Sequence, residues 1–469
     1  MTITLELSPA KSLITIPPEE YNITLRNLLD SVTSYRTKGA FFSKAVQKGR
    51  WDGKKYFINW QTRKCATGLI PEIETALKEN GYPVEVIDEI EYPEPSFDWI
   101  FTPPPDLENR QYQEDTVQTC LREKRGIVHL PVGTGKTTVM AMLIAKLGVS
   151  CLIVVHTREL LEQARKRIKL TLGIEVNKIG MGEWETGSPI TVGTVQTLCK
   201  HKKKIPRTDL IIADECHHSS AKTWQAVMLG LSAPYRFGFS ATPFKLNSEG
   251  MGLVAVTSKV VVTKKTTEMM DAGYLSPVSC YMINSHFEGR LLAHDWPEVE
   301  QKGIVFNDIR NKIIASLARN LSGRGKSVLI IVSKIAHGEE IAKWLFCDYV
   351  YLHGSVDTET RLSALEKFKD GEIKVVIATS IWDEGVDIPR MDALIVGAGG
   401  ASPTKTIQRA GRVLRNYKGK EKAFIFDFWD TFHRLTLKHS KARYGTYHKE
   451  IVNVKKEMSY ADVWDEITS

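Results

Sequence analysis

Between residues 125 and 415, short apolar runs alternate with longer amphipathic stretches. The runs at 127–130, 151–155, 210–213, 328–332, 374–378 and 393–396, with shorter ones at 191–192 and 350–352, predict buried strands. The stretches at 137–146, 159–170, 337–346, 360–369 and 404–412 place apolar residues at helical spacing and predict helices. Apolar strands that alternate with helices form parallel sheets covered on both faces. The rhythm runs once from 125 to about 213 and restarts near 327, so two α/β domains in tandem are expected, with 244–300 unassigned between them.

The 469 residues are enough for about three domains. With 42% hydrophobic and 25% charged residues, the composition excludes a disordered or collagenous chain. The seven cysteines are scattered and form no C-x-x-C pair, so disulfide stapling and a zinc site are not expected and a reducing cytoplasm is, the host's if the source is viral. The start MTITLELSPAKS lacks the pattern of a signal peptide, and CLIVV and VLIIV are too short to span a bilayer, so no membrane partner is expected.

The net charge of +8 is unevenly placed. Residues 36–64 hold nine basic residues against Asp52 alone, whereas 71–98 hold nine acids against Lys78. Residues 1–95 therefore read as a small α+β domain with a basic part, and the five prolines of 92–106 as a stiff linker. A basic patch at 199–207 and a basic tail at 437–469 complete the pattern.

HLPVGTGKTT (129–138) follows a predicted strand and opens a predicted helix. Gly133 and Gly135 let the backbone curl its N–H groups around a phosphate, with Thr134 and Thr138 beside them. Lys136 can reach the β- and γ-phosphates, and the Thr137 hydroxyl can hold Mg²⁺. The strict phosphate-loop pattern asks for glycine where Leu130 stands. LIIADECHH (210–218) puts Asp214 and Glu215 at a strand's carboxyl end, where Asp214 can bind Mg²⁺ through water and Glu215 can orient or deprotonate an attacking water. A solvated turn, or a metal cluster of Cys216, His217 and His218, are the alternatives. In TIQRAGRVLR (406–415), Arg412 and Arg415 are expected on one helical face, able to neutralise charge on a transferring phosphoryl group.

These strings together resemble the superfamily-two helicases of the DExH kind: NRQYQ (109–113), the loop at Lys136, HTRELLEQ (156–163), VGTVQTL (192–198), DECH (214–217), SAT (240–242), LIIVS (329–333), ATSIWDEGVDIP (378–389) and QRAGRVLR (408–415) occur in the family's order. The resemblance implies two RecA-like domains, spanning 106–285 and 300–436, with ATP and Mg²⁺ between them and one nucleic-acid strand across both. It implies adenine contacts at Gln113 and Arg110, nucleotide contacts at Gly385 and Asp387, and coupling of nucleotide state to domain closure through Ser240 and Thr242. It also implies backbone phosphates near Thr157, Arg158, Thr194 and Thr379, since hydroxyls and amides grip phosphate without reading sequence. FFSKAVQKGRWDGKKYFI (41–58) resembles the leading domain of phage recombination and branch-migration DNA helicases of the UvsW kind, and Arg50, Trp51, Lys54 and Lys55 are its DNA-binding candidates. The resulting expectation is a monomeric ATP-dependent DNA helicase and translocase for branched DNA, serving recombination, repair and replication and stepping 3′ to 5′ as its relatives imply. An RNA helicase, a restriction-type DNA motor and an ATP-gated binding module without unwinding are the rival readings.

Overall fold

In the computed structural model, the described residues are 2–37, 39–103, 110–216, 222–242, 250–379, 390–451 and 453–468. Two compact units emerge: Met1–Leu130 with Gly135–Thr263, and Lys264–Ser469 with Pro131–Thr134.

The first unit is built on an eight-stranded sheet. Its order is Glu183–Trp184, Asn177–Gly180, Ile190–Thr194, Cys151–Val155, Leu210–Ala213, Tyr235–Ser240, Arg125–His129 and Val260–Thr263. Every pairing is parallel except that of the short Glu183–Trp184 strand. The central strands are buried along their whole length, as continuous apolar runs require. Helix Lys136–Leu147 supplies eight buried residues to one side of this core.

A second sheet of the same unit runs Ile58–Asn59, Lys64–Ala66, Lys11–Thr15, Ile3–Leu7 and Val84–Asp88, carrying helices Ile23–Thr33 and Ile70–Glu79. A separate hairpin pairs Ser34–Arg36 with Lys54–Tyr56. This N-terminal module shares its core with the motor sheet. Ile3, Leu25 and Leu77 belong to one apolar cluster with Ile211, Trp224 and Val254. The two approach tightly at Gly68, where a Cβ would lie 1.9 Å from the Val254 carbonyl oxygen and 2.9 Å from that of Ala255. Backbone carbonyls cannot rotate away as a side-chain tip can. We therefore expect Gly68→Ala to destabilise the first unit by about 1–3 kcal/mol, read as a lower urea midpoint; an unchanged midpoint would mean that the two sheets are not pressed together there. The proline-rich stretch expected as a linker is also bound to this unit: Ser96 and Phe97 donate backbone N–H to Gly148 O at 2.7 and 3.0 Å, and Thr102 donates to Thr171 O at 2.8 Å.

The second unit holds a seven-stranded sheet, ordered Tyr349–Leu352, Val375–Thr379, Val328–Val332, Ala393–Val396, Ala423–Asp430, Val278–Ser285 and Val454–Met458, with every pairing parallel. Two sequence boundaries shift accordingly. The first motor domain does not reach 285, because Val278–Ser285 pairs along its full length with Ala423–Asp430. Residues 437–469 are not a tail: helix Arg434–Glu450 is inserted into the unit, Val454–Met458 forms an edge strand, and helix Tyr460–Thr468 covers apolar residues with Val463 and Trp464. The high lysine content of VKKEM had concealed a strand, because an edge strand buries little and tolerates charge. The helix expected at 337–346 is shorter, Ile335–Ala342. Among the described residues, no helix is long and apolar enough to cross a membrane.

Candidate active site

The phosphate-loop reading begins with backbone conformation. After strand Arg125–His129, Gly133 and Gly135 adopt φ of +86° and +78°, values open to glycine and costly to other residues. Gly135 caps helix Lys136–Leu147 with no side-chain hydrogen bond to its first turn. The leading amides of Lys136, Thr137 and Thr138 are thus oriented as an anion site requires. The loop also fits closely against Gln113, since a Cβ on Gly135 would lie 2.7 Å from Gln113 Nε2. Gln113 is buried on helix Gln111–Glu123, which Arg110 caps, and both Arg110 Nη1 and Gln113 Nε2 donate to the Tyr112 hydroxyl at 3.4 Å. Tyr112 was not singled out in the sequence; its hydroxyl ties those two candidates together.

The acidic pair faces this loop. Strand Leu210–Ala213 ends at the buried Asp214, whose Oδ1 accepts the Glu215 N–H at 2.9 Å. Glu215 takes a left-handed φ of +50°, a strained conformation for a residue with a Cβ, of the kind that clusters at active sites. The strain directs its carboxylate to Lys136, with Oε1 3.5 Å from Nζ. Burial first, and then the Glu215 charge, push the Asp214 carboxyl above the usual carboxylate range, with Lys136 opposing. An aspartate held in this way gains from a nearby cation, so its chemistry fits Mg²⁺. Cys216 does not serve the alternative metal cluster: it is buried in the core, with its Sγ 3.0 Å from where a Cβ on Gly238 would sit, and His217 and His218 lie outside the described residues.

The third element of this site is physically joined to the loop. Leu130 N donates to Ser240 O at 3.0 Å, while Ser240 Oγ and Thr242 Oγ1 are 3.2 Å apart. A displacement of the loop is therefore felt at Ser240.

The nucleic-acid candidates of the first unit cluster at the carboxyl ends of two paired strands, where Thr194 is in register with Val155. Thr157 caps helix Arg158–Leu172 by accepting the Leu160 N–H at 3.2 Å, and Arg158 is exposed. The buried Thr194 contacts Thr197 through their hydroxyls at 2.9 Å. Gln196, not expected from the sequence, bridges the two loops by donating to His156 O at 3.1 Å.

In the second unit, Arg412 is buried on helix Pro403–Val413. Arg415 is not on that helix as expected. The helix ends before it, and Arg415 instead forms an antiparallel bridge with Leu275. The Lys420 ammonium explains the ending, since it donates to the carbonyls of Val413 and Arg415. Thr379 closes strand Val375–Thr379, buried and with no hydrogen-bond partner for its hydroxyl among the described residues. Gly385 and Asp387 lie outside the described residues.

In the basic module, Arg50 and Lys54 are exposed, whereas Trp51 donates Nε1–H to Lys54 O at 2.7 Å and braces the turn. Lys55 is half-buried and bonded to Gln225 of the motor sheet's layer. Burial, then Lys222, lowers its ammonium below the usual lysine range. It secures the module more than it presents a free cation.

Known proteins resemble the chain in sequence and in fold. Residues 106–245 match the family described as type III restriction enzyme, res subunit, and residues 309–417 match the helicase conserved C-terminal domain. The ATP-dependent DNA helicase UvsW of Enterobacteria phage T4 is 25% identical over 430 residues, covering 85% of this chain and 85% of its own. The DNA 3′-5′ translocase XPB2 of Sulfurisphaera tokodaii is 26% identical over 361 residues, covering 68% of this chain and 81% of its own. In three dimensions, S. cerevisiae Dbp5 bound to RNA and ADP BeF3 superposes with a TM-score of 0.55 at 18% identity, covering 77% of this chain and 92% of its own, a likeness of fold.

Proposed function

Because the chain belongs to the superfamily-two helicases and is an ATP-dependent DNA helicase, we propose that it works on branched DNA, driving junction migration and fork remodelling in recombination and repair. The observation that carries the reading is an N-terminal module, basic over 36–64, that shares one core with the first motor sheet. A force generated on one DNA strand is then applied to a body that also grips duplex. The similarity to the phage T4 helicase, which covers 85% of this chain, supports the same reading.

Each residue of the proposed ATP site has a definite task. The amides of the glycine turn and Lys136 hold the phosphates, Gln113 and Arg110 the adenine side, and Thr137 and Asp214 the Mg²⁺. When bound, Mg²⁺ neutralises charge developing on the transferred phosphoryl group. Once the phosphates draw Lys136 away, Glu215 is released to orient water, and Arg412 and Arg415 supply the remaining positive charge. Thr157, Arg158, Thr194 and Thr379 hold the strand by its backbone, so stepping is independent of sequence. We propose that the protein acts as a monomer.

The test compares ATPase stimulation and unwinding on duplex RNA, linear duplex DNA, forks and four-way junctions. Forks and junctions should stimulate most; equal stimulation by linear duplex would overturn the branched-DNA reading in favour of a restriction-type motor. Removing 1–95 would confound this test by exposing the shared core. Neutralising Lys44, Lys48, Arg50 and Lys54 is cleaner, and should lower the salt slope of junction binding by about 0.9 for each phosphate left without its cation.

A further inference from the structure

We infer that Phe41 and Phe42 form a stacking wedge that receives unpaired bases at the DNA branch point. The inference rests on the branched-DNA reading above and adds the residues that would engage the branch. Phe42 is 83% exposed, the most exposed large hydrophobic side chain among the described residues, and its neighbour Phe41 is 73% exposed. The two rings stand edge to face with centroids 6.4 Å apart. Exposure of two adjacent phenylalanines forgoes the burial that normally stabilises aromatic side chains.

The turn that carries them is pinned. Ala40 N donates to Thr37 O at 3.0 Å, Phe42 N to Gly39 O at 3.0 Å and Ser43 N to Ala40 O at 2.9 Å. Thr37 N donates in turn to Gly53 O at 2.8 Å, and the buried Ala40 sits 3.1 Å from where a Cβ on Gly53 would lie. Ser43 Oγ accepts the Ala45 N–H at 3.3 Å and starts the next helix. A tight turn with its small residue inward and both rings outward is a preorganised projection.

Charge identifies the occupant. Arg36, Lys44, Lys48, Arg50 and Lys54 are exposed in the same segment. Its one acid, Asp52, is engaged, accepting the Lys54 N–H at 2.9 Å and the Tyr56 hydroxyl at 2.5 Å. A second copy of the chain meeting this face with its own would bring like charges together. A ligand with flat apolar faces on a polyanionic backbone satisfies both the rings and the cations, and nucleic acid has that chemistry. Every base offers a π-face, so stacking tolerates any sequence. Within an intact duplex these faces are already stacked, whereas a branch point presents unstacked ones. The rings therefore favour the unpaired bases of a branch over intact duplex.

The test uses the full chain, as wild type, the F41A/F42A double variant and the F41W/F42W double variant, on forked DNA with 2-aminopurine at the branch. We expect wild type to change the probe's fluorescence at the branch. The alanine variant should lose that change and unwind forks about tenfold more slowly, with single-strand-stimulated ATP turnover intact; the tryptophan variant should retain both. Wild-type fork unwinding by the alanine variant, or a silent probe with wild type, would overturn the inference. Loss of a wild-type dimer in the alanine variant, seen by sedimentation, would overturn it in favour of self-association. Failure of the parent reading looks different: wild type would then unwind forks no better than linear duplex.

Discussion

Lys136→Ala is expected to lower DNA-stimulated ATP turnover by roughly 10²–10³-fold, the loss typical of removing one charge-stabilising group from a phosphoryl or acyl transfer site. Lys136 opens the helix behind the glycine turn and lies 3.5 Å from Glu215 in a mostly enclosed position. Its truncation removes a cation from the proposed phosphate site and also the charge that pairs with Glu215 and opposes the upward shift of Asp214. DNA binding in the absence of nucleotide should persist, since Thr157, Arg158 and Thr194 lie at other strand ends. Steady-state ATP turnover with saturating single-stranded DNA decides the matter, and a rate within a few-fold of wild type would remove Lys136 from the proposed mechanism.

The second large effect concerns stability. Arg443 lies inside the second unit, with Nε 3.1 and 2.9 Å from the two carboxylate oxygens of Asp427 and with Nη1 and Nη2 donating to Gly400 O and Phe428 O at 2.7 and 3.1 Å. Asp427 also accepts the Tyr447 hydroxyl at 2.9 Å, and Asp430 pairs with Arg310 at 3.2 Å. Arg443→Leu would leave Asp427 as a buried charge without its ion partner, and should cost about 3–5 kcal/mol. Hydrogen exchange over 423–430 would report the change without interference from the first unit. The double variant R443L/D427N should recover much of the loss, because the uncompensated charge is gone. Unchanged protection in the single variant would show that the network contributes nothing net.

That network also explains what was hard to read in the sequence. The apolar strands at 151–155, 210–213, 328–332 and 393–396 were legible because burial on both faces writes an unbroken apolar run. AFIFDFWD (423–430) is equally buried, but its two aspartates break the run and suggest a half-exposed segment. Only the positions of Arg443, in the helix that follows, and of Arg310, in an earlier helix, show why acids can sit there. Likewise YMINS near 281–285 gives no hint that its strand partners lie far along the chain. The chemistry of the site was more legible than its surroundings, since glycine, lysine and paired acids stand in contiguous strings. Tyr112 and Gln196 escaped notice because their contacts are made through folded backbone and side-chain proximity. Phe41 and Phe42 were not singled out for a related reason: hydrophobicity is visible in a sequence, but solvent exposure is not.

The pairing of Val278–Ser285 with Ala423–Asp430 has a consequence for biosynthesis. Ser285 meets Asp430, 145 residues later, in register and by a side-chain hydrogen bond. At roughly 5–20 residues per second, a ribosome needs about 7–30 s to make that interval. Throughout it the strand that will be flanked on both sides has neither neighbour, while the first motor sheet can already close. The nascent chain thus carries an open apolar β-strand for many seconds, a natural point for chaperone engagement and for a translation pause to alter the yield of native protein.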